Sequence, residues 1–163
     1  CEGDIVKIDV GAFYRGFHGD CADTFKVGKV SEEASRLIEV TKESFRKGLA
    51  AIVVNNRIGD IGHAIETYVK QNGFSVVRKY VGHGVGCKLH EPPDVPNFGV
   101  PGKGTRIFSG MTFAVEPMVC TGSGAVSELS DGWTVVTSDG GLSAHYEHTI
   151  AVTDEGIIIL TEI

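Results

Sequence analysis

Several things are scarce in this chain of 163 residues, and each scarcity removes a class of function. Its apolar runs are short, too short for the roughly 20 apolar residues of a transmembrane helix, and no stretch reads as a signal peptide. Lys and Arg never cluster, and the net charge is −6, which argues against a nucleic-acid surface. There are four cysteines, Cys1, Cys21, Cys87 and Cys120, and no two have C-x-x-C spacing. They read as free thiols of a reducing, cytoplasmic setting rather than as a disulfide scaffold. The nucleophile-elbow pattern G-x-S-x-G is absent. Gly102-Lys103-Gly104-Thr105 lacks the spacing of a phosphate-binding loop, and the alternating glycines 82, 84 and 86 are not a dinucleotide fingerprint.

What is present is an ordinary globular balance, with 42% hydrophobic and 22% charged residues and enough length for one domain with a real core. Glycine is abundant, at 22 residues, which implies many tight turns and close backbone approaches. Residues 4–10 and 17–27 read as two strands, joined by a turn at Phe13-Tyr14-Arg15-Gly16. Ser31 followed by Glu32 and Glu33 is a helix start, and Leu37, Ile38, Thr41, Phe45, Leu49 and Ile52 carry the helical period from about 32 to 53. Ile61, Ile65, Tyr68 and Val69 mark a second helix over about 59–71, ended by Asn72-Gly73. Further strands are expected at 74–81, 111–119, 133–137, 145–152 and 157–160, with 82–110 mostly irregular and 121–130 a loop. A hairpin, two helices and then a run of strands argue for an α+β fold with an antiparallel sheet.

The chemistry lies in the acids. If Tyr14 and Arg15 form the hairpin loop, opposed positions sum to 29, and Asp9 faces Asp20 with Cβ atoms roughly 4.5–5.5 Å apart. Two like charges so placed destabilise the pair unless a cation lies between them. Glu116 and Glu147 also stand in apolar strand contexts. Each acid alone reads equally well as one on the solvent face of a half-buried strand. Together, with no basic residue nearby to pair them, they point to a metal site. His83, between Gly82 and Gly84, adds a nitrogen, and the flanking glycines are expected to let the backbone bend and expose the ring. Four acids and one imidazole suit two divalent first-row metals held by bridging carboxylates, not a thiolate-rich structural zinc site. His63 reads as structural or exposed, and the residues leave the role of His18 open.

These residues also carry a resemblance. Ile8-Asp9-Val10, His18-Gly19-Asp20, Gly82-His83-Gly84-Val85-Gly86, Leu89-His90-Glu91-Pro92, Glu116-Pro117-Met118, Asp131-Gly132-Trp133-Thr134 and His145-Tyr146-Glu147-His148-Thr149 resemble, in order, the motifs of the type I methionine aminopeptidases. The resemblance implies the pita-bread (creatinase/aminopeptidase-like) α+β fold, a curved antiparallel sheet flanked by helices around a dinuclear metal centre. By motif position, Asp9 resembles the chelator of one metal, Asp20 and Glu147 the bridging carboxylates, and His83 and Glu116 the remaining ligands of the other. His90 resembles the histidine that hydrogen-bonds the substrate at the scissile amide, and Trp133 the tryptophan near the methionine pocket. Leu89 stands where the family often has phenylalanine.

The implied reaction removes the N-terminal methionine of nascent proteins by attack of a dimetal-bridging hydroxide on the first peptide bond, with Glu116 shuttling the proton. The implied cofactors are two divalent ions: cobalt, manganese, iron(II) or zinc. The implied partners are N-terminal peptides of nascent chains, including those at the ribosome, with no nucleic acid and no membrane, for an enzyme that is a monomer when complete. The chain opens at Cys1-Glu2-Gly3-Asp4, directly before a strand and without a methionine. It therefore resembles the C-terminal two-thirds of a catalytic domain, residues 1–163, truncated at its N-terminal side. The family's further histidine lies upstream, so the piece alone is expected to be inactive or nearly so. The competing readings are a proline-directed aminopeptidase or dipeptidase on the same fold, a metal-free peptide-binding module, and a fragment without independent function.

Overall fold

The chain begins with a long hairpin whose turn sets everything that follows. Arg15 and Gly16 have φ of 50° and 92°, and a two-residue loop with both residues left-handed has the twist that antiparallel strands require. The strands are β1 (Ile5–Tyr14) and β2 (Phe17–Lys26). The loop thus lies one residue later than Tyr14-Arg15, because Tyr14 stays extended and glycine takes the second left-handed position. Opposed positions sum to 31 instead of 29: Asp9 faces Ala22, and Asp20 faces Gly11. This corrects the expected Asp9–Asp20 pairing. The slip is two residues, however, and side chains alternate with a period of two, so the two aspartates keep a common face as diagonal neighbours.

Two helices follow, α1 (Glu32–Ala50) and α2 (Ile58–Gln71). Ser31 Oγ accepts from Ala34 N at 3.1 Å and caps α1. Helix α1 stops three residues short of the expected end. Asp60 opens α2, with its carboxylate accepting from Arg57 N and Gly102 N at 2.7 Å each. Leu37, Phe45, Ile61, Ile65 and Val69 form the buried stripe between the helices and the sheet.

The remaining strands are β3 (Ser75–Val76), β4 (Gly82–Gly84), β5 (Glu91–Val95), β6 (Thr112–Val115), β7 (Met118–Cys120), β8 (Val126–Glu128), β9 (Val135–Thr137), β10 (Ser143–His145), β11 (Glu147–Thr153) and β12 (Gly156–Ile159). The structure describes residues 1–162 of a computed structural model. A seven-stranded sheet runs β1-β2-β11-β6-β4-β5, with β12 also on β11. A three-stranded sheet runs β10-β7-β3, and β8-β9 is a separate hairpin. All pairings are antiparallel, as the α+β reading expects.

Several strand boundaries need correction. The expected strand 74–81 is reduced to Ser75–Val76. The expected 111–119 breaks at Glu116-Pro117, where proline has no N–H for a ladder. The expected 145–152 breaks at Tyr146. The 82–110 stretch contains β4 and β5. Strand β5 tolerates Pro92 and Pro93 because it is the sheet's edge. The 121–130 loop contains β8.

The two breaks coincide in space. At each, the chain leaves one sheet for the other, and Tyr146 N donates to Pro117 O at 3.3 Å across the joint. Glu116 sits in one break, and His145 and Glu147 flank the other. The four cysteines are free, and no helix among the described residues is long and apolar enough to cross a membrane.

Candidate metal centre

The seam between the two sheets gathers the acids. Asp20 projects from β2, His83 from β4, Glu116 from the β6–β7 break and Glu147 from the start of β11. They are only 7%, 9%, 8% and 2% exposed. Asp9, on β1, is exposed.

Each position has a local cause. Thr149 clamps Asp20: Asp20 N donates to Thr149 Oγ1 at 2.8 Å, and that hydroxyl donates back to Asp20 O at 2.9 Å. Asn97, fully buried, donates from Nδ2 to the Glu116 carbonyl at 2.9 Å and holds the broken strand in place of a ladder partner. The glycines around His83 do not bend the chain outward. A Cβ on Gly82 would run into the Ala114 carbonyl, and one on Gly84 into the Pro92 carbonyl. They are there because β4 is squeezed between β5 and β6, and His83 is a buried strand residue instead of an exposed loop ring. Its Nδ1 lies 3.1 Å from Gly84 O, so with the proton there Nε2 keeps its lone pair. Nε2 is 3.5 Å from Glu116 Oε1 and 3.8 Å from Asp20 Oδ2.

Ligand atoms of Asp20, His83 and Glu147 lie within 4.8 Å of one another, and so do those of Asp9, His145 and Glu147. Glu147 belongs to both groups, Asp20 to one of them and Glu116 to neither. The electrostatics are unbalanced as they stand. Burial pushes the Glu147 carboxyl up to about 10, and the nearby Glu116, Asp20 and Asp9 push the same way. Burial also raises Asp9, with Asp20 adding to it and His145, His83 and His90 opposing. Among the described residues no Lys or Arg pairs with Asp9, Asp20, Glu116 or Glu147; the ion-pair neighbours of the last three are histidines. Glu147 Oε1 and His145 Nε2 are buried without a hydrogen-bond partner among the described residues. Orphaned donor atoms and uncompensated negative charge fit a pair of divalent cations.

The acids open onto a cavity of about 350 Å³, lined also by Gly11, Leu89, His90 and Trp133. His90 is exposed, with its ring 4.0 Å from that of His83. Trp133 is 87% exposed, in the loop between β8 and β9. Its backbone is fixed by Asp131 Oδ1, which accepts from Trp133 N at 3.0 Å, but its ring stands free at the rim. A larger cleft of about 660 Å³, beside Pro92, Pro93 and Phe108, gathers no such set of donors. His63 is exposed on α2. His18 packs its ring 4.7 Å from Phe13 and joins neither donor group. The structure thus brings all seven sequence-predicted site residues to one cavity. It adds His145, which the sequence reading named only as part of a motif. The signal was available: His145 and Glu147 are two apart, the spacing that repeats on one face of a strand.

Comparison with known proteins agrees with this geometry. The model of metallopeptidase family M24 matches residues 1–154. A methionine aminopeptidase of Clostridium perfringens is 58% identical over 160 residues, which is 98% of this chain and 64% of that protein. The crystal structure of a methionine aminopeptidase from Thermotoga maritima superposes with a TM-score of 0.97 at 49% identity, over 99% of this chain and 65% of that one. A prolidase from Pyrococcus furiosus, at 23% identity and a TM-score of 0.77 over 99% of this chain and 42% of that one, shares the fold alone. The chain therefore spans a little under two-thirds of the length of the methionine aminopeptidases it matches. It has the pita-bread fold, and it belongs to metallopeptidase family M24.

Proposed function

We propose, from this membership of metallopeptidase family M24, that the protein is a metal-dependent aminopeptidase that removes N-terminal methionine. The observation that carries the reading is the buried convergence of Asp20, Glu116, Glu147 and His83 around atoms that, among the described residues, have no hydrogen-bond partner and no Lys or Arg counter-charge. The name and 58% identity of the Clostridium perfringens relative point to the substrate.

In this reading Asp9, Asp20, His83, Glu116 and Glu147 hold two divalent ions. Their donor set suits manganese, iron(II), cobalt or zinc. The bound ions supply Lewis acidity and lower the pKa of water enough to provide a nucleophile near neutral pH. The chain's own residues do the rest. Glu116 sits in the seam next to the cavity and carries the proton from water to the departing amine. His90, on the cavity wall above His83, donates to the oxygen of the scissile amide as negative charge builds on it. Trp133 and Leu89 border the space for the first side chain. The substrates are peptides with a free N-terminal methionine, including nascent chains at the ribosome, which carries a cytoplasmic location with it.

The test is a cleavage assay on the Co²⁺- or Mn²⁺-loaded protein carrying the upstream segment of its relatives, since residues 1–163 alone are expected to be nearly inactive, with a Met-Ala peptide against an X-Pro peptide. Release of methionine, reduced about 10²–10³-fold by His90→Ala, is the expected result. Preferential cleavage before proline, or no metal-dependent cleavage of either peptide, contradicts it.

A further inference from the structure

The five-residue ligand set leaves one group in the centre without a task. His145 closes β10, beside the Tyr146 joint. A single hydroxyl fixes its backbone from both sides: His145 N donates to Thr24 Oγ1 at 2.9 Å, and Thr24 Oγ1 donates to His145 O at 2.8 Å. The residue is 8% exposed. Its Nε2 is sealed from solvent and has no hydrogen-bond partner among the described residues. That nitrogen lies 3.4 Å from Glu116 Oε2 and 3.7 Å from Glu147 Oε2. With oxygens of Asp9 and Glu147 it forms a donor group whose atoms all lie within 4.8 Å. A buried ring nitrogen left unpaired is costly, and a nitrogen surrounded by carboxylate oxygens at these separations is placed to share a cation with them.

We propose that His145 is a sixth ligand of the metal centre, binding through Nε2 on the Asp9 side. The inference rests on the metal-centre reading above and extends it to a residue outside the five. It gives each half of the centre one imidazole: His83 with Asp20 and Glu147, His145 with Asp9 and Glu147. The Asp9 half is then no longer an all-oxygen site. All-oxygen sites suit Mg²⁺ and Mn²⁺, whereas an added imidazole favours zinc, iron(II) and cobalt. His145 is thus a determinant of metal choice. Thr24 positions it through the backbone.

Proton NMR of the Co²⁺-loaded protein tests this without any assay of activity. Each imidazole bound to Co²⁺ through Nε2 shows a strongly shifted, solvent-exchangeable ring N–H signal. Two such signals are expected, and one alone overturns the proposal. In His145→Gln one of the two disappears. Co²⁺ affinity then falls about tenfold or more, and Mn²⁺ affinity falls less. A His145→Gln protein that keeps both signals and its Co²⁺ affinity also overturns it. If that variant does not fold, the signal count in the unaltered protein still decides. A protein that takes up no Co²⁺ at all removes the metal reading and this inference together, whereas uptake with a single signal removes only the role of His145.

Discussion

The helix layer and, Asp9 apart, the acids of the seam between the sheets are both buried, with opposite consequences. Leu37, Ile61, Ile65 and Val69 have no exposed surface, and Glu147 is only 2% exposed. In the helix layer each buried aliphatic side chain stabilises the fold by about 1.5–3 kcal/mol. In the seam, burial works against the charge it encloses, and Glu147 is held protonated to about 10 in consequence. Stability in this molecule is thus supplied by α1, α2 and the sheet behind them. It is given up where β6 breaks before β7 and β10 before β11, because an interrupted ladder is what lets four acids and two imidazoles point at one place. Metal binding should reverse the local deficit, which makes the contrast testable.

The largest expected effect is on chemistry. Glu116→Gln should lower kcat/KM for a Met-Ala peptide by about 10²–10⁴-fold while the fold persists, as the loss of a proton carrier does. A Glu116→Gln protein with undiminished turnover would break the comparison on the seam's side. Next comes the other region: Ile65→Ala should cost about 2–5 kcal/mol in urea unfolding of the metal-free protein. A cost equally large for a seam substitution under the same conditions would erase the contrast.

The third effect is smaller and opposite in sign. In the metal-free protein, Glu147 titrates near 10 when folded and near the usual 4.5 when unfolded. Between those values the folded state holds a proton that the unfolded chain has lost. Its contribution is therefore complete below pH 4.5 and is lost as pH rises towards 10. Glu147→Gln should flatten that slope in thermal melts at several pH values, stabilise the metal-free protein by on the order of 1 kcal/mol at neutral pH, and weaken metal binding. A steeper loss of stability with pH in the variant would contradict the account. The smallest effect sharpens the clamps. Thr149→Val removes both hydrogen bonds to Asp20 and should cost about 1 kcal/mol in folding and roughly tenfold in metal affinity.

Much of this arrangement was legible before the structure. The alternation of a hairpin is insensitive to a register shift of two residues, so the sequence places Asp9 and Asp20 on one face although they do not pair directly. Helices α1 and α2 were legible from periodic apolar residues and the Ser31 cap. What was not legible were features set by distant segments. Pro117 is a local sign of a break in 111–119, but nothing local says that the chain changes sheets there, or that Asn97 takes the Glu116 carbonyl. The glycines beside His83 were visible, but their cause is the approach of β5 and β6 from other parts of the chain. His145 shared a face with Glu147 by simple alternation. Its importance became apparent only when the break at Tyr146 turned it into the seam and left its nitrogen without a partner.

In the proposed centre these acids and imidazoles hold a pair of cations. Titration calorimetry of the metal-free protein with Co²⁺ at pH 7, repeated in two buffers of different ionisation enthalpy, tests it most directly. Two ions are expected to bind per chain, with protons released as Glu147 gives up the one it holds. Absence of binding, or binding with no proton released, would contradict it.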